Sequence, residues 1–227
     1  MTHLATPLDT PDWKVLLIGG NSGAGKTVIA RQLAQHFAVG LAEVDDFRLV
    51  LERMTTQEQQ PALHRLLTLL DVNTQTRAMP QVAQDALIEV AQVVSHALEI
   101  VVANHVATHT PTILEGDGIL PAFAAQHVFA GLDVEGAVQA VFLIEENKNQ
   151  LHQNALAKGR GFEQLPTAFQ EHYIDVSWQY GRWLQREATR YSVPIVPSRP
   201  WDTLEERFVR SIRKTAARTW THHHTEE

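Results

Sequence analysis

Short aliphatic runs alternate along this chain with longer segments whose apolar residues recur every three or four positions. Lys14 to Gly19 is the first short run, and its β-branched and aliphatic side chains read as a buried parallel strand. Behind it Val28, Ile29, Leu33, Ala34 and Phe37 fall at helical spacing, so a helix follows to about Val39, with Gly40 suited to close it. Leu41 to Val44 predicts a second strand that delivers Asp45 and Asp46 at its carboxyl end. Residues 47–110 contain no convincing strand. Phe47 to Met54, a run opened by Pro61 and a long run from Pro80 to about Thr108 all read as helix. Thr112 to Asp117 predicts a third strand and its exit, Val138 to Ile144 a fourth, and Val193 to Val196 the last. Leu132 to Val134 predicts a short turn or helix. A helix from Thr167 to about Arg190, interrupted or thinned at Gly181, precedes the last strand. Thr203 and Glu206, at capping-box spacing, open a final helix.

Five strands with helical crossovers predict an α/β fold, a parallel sheet with helices on both faces. The helical stretch at about 50–110 is longer than a crossover needs. It reads as a subdomain covering a substrate, with an elaborated crossover packed on the sheet as the alternative. Residues 1–220 then form a single domain, starting from a loose lead-in broken by Pro7 and Pro11, and 221–227 (THHHTEE) read as a disordered tail.

Composition narrows the classes. The 227 residues, 44% of them hydrophobic, suffice for one sizeable core. With no cysteine there is no disulfide framework and no thiolate metal site, which points to the cytoplasm. The start lacks the basic and apolar regions of a signal peptide, and no apolar run reaches membrane-spanning length, so no membrane partner is expected. A formal net charge of −7 argues against nucleic acid as the main partner.

The chemistry centres on Gly20, Asn21, Ser22, Gly23, Ala24, Gly25, Lys26 and Thr27, which match G-x-x-x-x-G-K-[ST] at every fixed position. A strand before and a helix behind supply the context such a loop needs. Its glycines let successive N–H groups turn inward, and the helix adds the positive end of its dipole. Lys26 then reaches the β- and γ-phosphates of ATP, and the Thr27 hydroxyl ligates Mg²⁺. A glycine-rich turn with no ligand is the competing account.

Further polar residues fall near the same sheet edge. Asp45 can accept the proton of a hydroxyl or hold metal-bound water, while Asp46 suits helix capping. Glu115 and Asp117, around the third strand's exit, are the candidate metal-side carboxylates. Lys148, Lys158 and Arg160 lie in a polar stretch, about 145–165, that reads as a lid bringing positive charge onto the transferred group, or else as a solvated basic face. Arg182 and Arg186 are weaker additions to that field, and His96 and His105 read as surface or core-edge residues. Trp201, beside Pro200, either offers a flat surface to adenine or anchors the final helix.

Three stretches carry a family resemblance: GGNSGAGKT at Gly19 to Thr27, VDDFR at Val44 to Arg48, and ILEGDGILP at Ile113 to Pro121. Together they resemble the 2-phosphoglycerate kinase family, whose relatives include chloramphenicol phosphotransferase-like and zeta-toxin-like kinases. The resemblance implies a P-loop NTPase fold with sheet order 2-3-1-4-5, ATP and Mg²⁺, and transfer to a hydroxyl of a small-molecule acceptor. It also implies that Lys26 and Thr27 serve phosphate and metal, that Asp45 is the catalytic aspartate, and that Arg48 contacts an anion on the acceptor. The acceptor stays open. A nucleotide-dependent switch is the rival class, since Asn147 to Gln150 (NKNQ) is half of a guanine-reading motif but lacks its carboxylate. A nucleotide kinase or nucleic-acid end kinase is the third.

Overall fold

The computed structural model describes residues 11–69, 78–159 and 161–212. The chain runs β1 (Val15–Gly20), α1 (Lys26–Phe37), β2 (Gly40–Glu43), α2 (Val44–Met54), α3 (Pro61–Leu69) and α4 (Pro80–Ala107). Then come β3 (Thr112–Glu115), α5 (Pro121–Ala124), β4 (Val128–Phe129), β5 (Leu132–Asp133) and β6 (Val138–Ile144). It continues with α6 (Lys148–Ala157), a 3-10 turn (Phe162–Gln164), α7 (Thr167–Arg190) and β7 (Ile195–Pro197), and a last helix is described over 204–212.

Five parallel strands form one sheet in the order β2-β3-β1-β6-β7. Counted among the sheet strands alone, this is 2-3-1-4-5, the order implied by the resemblance. Every residue of β1 is buried, as a central parallel strand with helices on both faces requires. Its side chains alternate between two cores. Val15 and Leu17 join Val90, Val94, Leu98 and Leu184 of α4 and α7 on one face. Leu16 and Ile18 join Ile29 and Leu33 of α1, and Leu204 and Phe208 of the last helix, on the other.

Several local expectations change. The second strand stops at Glu43 and helix α2 begins at Val44 with no intervening loop, so Asp45 and Asp46 stand in a helical first turn, not on a strand end. Asp46 does not cap that helix; Glu43 occupies the cap position and makes no side-chain cap bond. Helix α1 closes through Ala38 in the left-handed region (φ 53°), and Gly40 is instead the first residue of β2. Around Leu132 to Val134 the chain forms the antiparallel β4–β5 hairpin rather than a helix. The last strand starts at Ile195, because Pro194 has no N–H and its carbonyl instead accepts from Phe142 N. Thr203 and Glu206 form no capping box: the Thr203 hydroxyl meets Arg207, and Glu206 pairs with Arg210.

Helix α7 runs unbroken through Gly181, whose missing side chain has a tertiary cause. A Cβ there would stand 2.8 Å from the Asn21 amide nitrogen. Helix α4 corrects the statement on membrane-spanning length, since its 28 residues are long and apolar enough to cross a bilayer. Ala83, Ala86, Val90, Ala91, Val94, Leu98 and Val102 are buried inside the protein and form one face of the helix.

Candidate active site

The stretch between β1 and α1 wraps around the carboxyl edge of the sheet. Gly25 caps α1 in the left-handed region (φ 101°), and the Trp201 indole lies where a Cβ would project. The next residue, Lys26, is a buried charge. Its Nζ donates to Asn21 O at 3.1 Å and to Asp117 Oδ1. Thr27 Oγ1 donates to Glu115 Oε1 at 2.7 Å. Register explains that second bond: β1 and β3 are neighbours with Ile18 opposite Glu115, so the end of β3 faces the start of α1. Glu115, Asp117, Lys26 and Thr27 are thus brought together as the sequence suggested.

The electrostatics follow from this packing. Burial works to lower the Lys26 pKa, but the charges of Asp117, Glu115 and Asp45 outweigh it and hold the amine above its ordinary value. Burial raises the Glu115 carboxyl, and Lys26 and the Thr27 hydroxyl offset part of that rise. Asp45 is likewise raised, first by desolvation and then by the neighbouring Asp117, with Arg48 pulling the other way.

Helices α6 and α7 hold the loop from behind. Asn21 is fully buried, its amide donating to Glu145 O (3.2 Å) and Ser177 O (3.3 Å) while its Oδ1 accepts from Glu145 N (3.2 Å). Ser177 Oγ donates to Ser22 O at 2.7 Å, and Asn154 Nδ2 donates to Gly23 O at 2.8 Å. Ser22 Oγ and the Tyr173 hydroxyl share a bond of 2.6 Å. Tyr180 donates to Asp117 O at 2.7 Å. Burial raises both tyrosine pKa values, and the Asp117 charge adds to it, so both hydroxyls stay protonated. Sequence reasoning missed Tyr173, Ser177 and Tyr180. Their spacing of four and three places them on one face of a helix, but nothing in the sequence says that this face meets the loop.

Two recesses meet at this point. One, of 260 Å³, is lined by Ser22, Gly23, Gly25, Lys26, Thr27 and the carboxylates Asp45, Glu115 and Asp117. The second, of 330 Å³, opens under α2, α3, α4 and α7 and shares Ser22, Asp45, Asp117 and Lys158 with the first. Asp45 reaches both because the unbroken β2–α2 junction carries the sheet edge directly into the helix. Arg48, one turn further along α2, lines the second recess and pairs with Glu52.

The remaining candidates scatter. Lys148 pairs with Asp175 at 2.6 Å and lies over the Trp178 ring, and Arg182 lies over the same ring, so both serve the α6–α7 surface. Arg186 is exposed on α7. Asn147 caps α6 by accepting from Gln150 N at 3.2 Å, which commits half of the guanine-like motif to a structural role. His96 is exposed, and His105 Nδ1 lies 2.9 Å from Thr110 O, away from the site. Trp201 is half-buried against the Leu204 and Phe208 cluster, with Arg199 over its ring. Arg160 and the histidine-rich tail lie outside the described residues.

No family model matches the chain, so the resemblance to the 2-phosphoglycerate kinase family has no independent support. No curated protein matches it by sequence either. Among solved structures, an unliganded sugar kinase from Janibacter sp. HTCC2649 superposes over 90% of this chain and 97% of its own, with a TM-score of 0.51 and 16% identity. The chain shares that protein's fold, a five-stranded parallel sheet flanked by helices. Looser matches are a deoxyadenosine kinase from M. mycoides with bound dATP (TM-score 0.47, 12% identity, 88% of this chain and 98% of that one). Another is a shikimate kinase from Acinetobacter baumannii in complex with shikimate (TM-score 0.41, 14% identity, 83% and 84%). The likeness reaches the architecture alone, and the chemistry rests on the residues themselves.

Proposed function

We propose that the protein is an ATP-dependent kinase that transfers the γ-phosphate to a hydroxyl of a small molecule. The observation that carries this reading is the shared wall between the two recesses, where Asp45 and Asp117 border both the phosphate loop and a second chamber. A switch or motor needs no second chamber there. Lys26 and the inward N–H groups of Gly20 to Thr27 would hold the phosphates. Asp45 would take the proton of the acceptor hydroxyl as its oxygen bonds to the γ-phosphorus and the bond from that phosphorus to the bridging oxygen of ADP breaks.

Mg²⁺ fits the donors present. Thr27 Oγ1, Glu115 and Asp117 supply the hard oxygens that suit this ion, which would take its other ligands from phosphate and water. The ion would neutralise charge on the phosphates when bound.

The other elements of the reading follow. Helices α2 to α4 cover the acceptor within a single domain, the end of the 145–165 segment beyond the fixed helix α6, with Lys158 and Arg160, acts as a lid, and Trp201 borders the adenine. The setting is cytoplasmic, with neither nucleic acid nor membrane as partner. The test is acceptor-dependent ADP release: turnover should rise with a cognate alcohol, whereas slow hydrolysis indifferent to every alcohol would return the chain to the switch class.

A further inference from the structure

We infer, resting on the kinase reading, that the acceptor is an uncharged alcohol with a substantial apolar body, not a phosphorylated or carboxylated sugar acid. The second recess carries the inference. Away from its shared wall and from the polar groups of Arg48, Tyr173, Ser177 and Tyr180, an apolar side is built by Leu66, Leu87, Val90, Ala91, Val94 and Val176 of α3, α4 and α7. All but Leu87 are buried, so this is a core-like wall and not a solvated groove. Its volume of 330 Å³ lies within the range of small-molecule sites.

The charges point the same way. Four ionisable side chains other than tyrosine line the chamber: Asp45, Asp117, Arg48 and Lys158, two of each sign. Arg48 is already paired with Glu52, whose side chain is only 9% exposed. A phosphate or carboxylate on the acceptor calls for a fork of arginines or lysines able to replace its water. Of the two carboxylates Asp117 is engaged by Lys26, which leaves Asp45 on the shared wall, where it would repel such an anion. A hydroxyl suits Asp45 well. It donates to Asp45 while the rest of the molecule lies along α4, and Tyr173 and Tyr180 add polar contacts only on the phosphate-loop side.

The experiment compares two sets of alcohols with the full chain, ATP and MgCl₂, reading ADP release. One set holds uncharged alcohols bearing aliphatic or aromatic bodies, and the other holds sugars, hydroxy acids and their phosphates. The apolar set should give kcat/KM values at least about tenfold higher, the scale set by burying one or two methylenes in a fitted pocket. Leu87→Lys, at a half-buried position where a long stem reaches solvent, should raise KM for the best apolar alcohol about tenfold and leave KM for ATP unchanged. Val90→Thr, nearly the same in shape, should raise it by a smaller factor. Stimulation by the polar set alone, or an unchanged acceptor KM in both folded variants, overturns the inference and leaves the kinase standing. ADP release indifferent to both sets, with a fluorescent ATP analogue still bound, removes the kinase reading and this inference together.

Discussion

The phosphate recess and the apolar recess share a wall, yet they are assembled by opposite means. The first is built around one contiguous stretch, Ser22 to Arg31, joined by Glu43, Asp45, Glu115 and Asp117, so its shape depends on glycines and on the start of a helix. The second draws its wall from α2, α3, α4 and α7, which come from distant parts of the chain and meet only through packing. A site written in backbone tolerates little variation and announces itself as a pattern. One written in side chains of remote helices changes with any of them, which is how a common fold serves different acceptors.

Mutations can pull the two apart. The largest effect belongs to Lys26→Ala, which removes the buried cation of the phosphate recess. Turnover in an ADP-release assay should drop by about 10³-fold, with weaker ATP binding, as for other losses of transition-state charge stabilisation. A folded variant of full activity would end the phosphate-loop account. Asp45→Asn acts on the shared wall. It should lower turnover by about 10²-fold with little change in ATP affinity, since the amide cannot take the proton.

Acidity gives that second variant its own signature. The Asp45 pKa is raised by desolvation and by Asp117, so activity should fall on the acid side at a pH above the ordinary carboxylate value. For stability the sign is opposite. The folded state holds this proton more tightly than the unfolded chain, so the site's stabilising contribution is full at low pH and is lost as pH rises through the folded value. Asp45→Asn should therefore not lower the melting temperature at neutral pH. A clear loss in a thermal melt would mean that Asp45 is structural and not catalytic.

Two smaller effects test whether the phosphate recess depends on α7. Asn21→Ala strips partners from Glu145 N and two carbonyls in a buried setting and should cost about 2 kcal/mol in urea unfolding. Tyr173→Phe removes one bond to Ser22 and should cost about 1 kcal/mol or less. Equal and negligible losses would detach the loop from the helix behind it.

The sheet was legible because parallel strands buried on both faces are continuous apolar runs, and β6 and α7 fall at their expected limits. The loop, Glu115 and Asp117 were legible for the same reason, being placed by adjacent strand ends. Pattern could not locate the β2–α2 junction, since Val44 suits a strand and a helix equally and only packing decides. Nor could it find Tyr173, Ser177 and Tyr180. Their role depends on which face of α7 meets the loop, a matter of tertiary geometry. Gly181 misled, because a glycine in a helix signals a break when its local propensity alone is weighed.

That glycine carries a consequence for how the sequence can drift. The loop pattern leaves the second position unspecified, so Asn21 looks free to vary, while Gly181 looks like an accident of a surface helix. Their contact of 2.8 Å to a hypothetical Cβ makes them one unit 160 residues apart in the chain. Among descendants of this chain, any side chain gained at 181 should arrive with a smaller residue at 21, and the double change should be milder than the single one at 181. The pair would then serve as a lineage marker, separating relatives that anchor the loop to this helix from those that anchor it elsewhere.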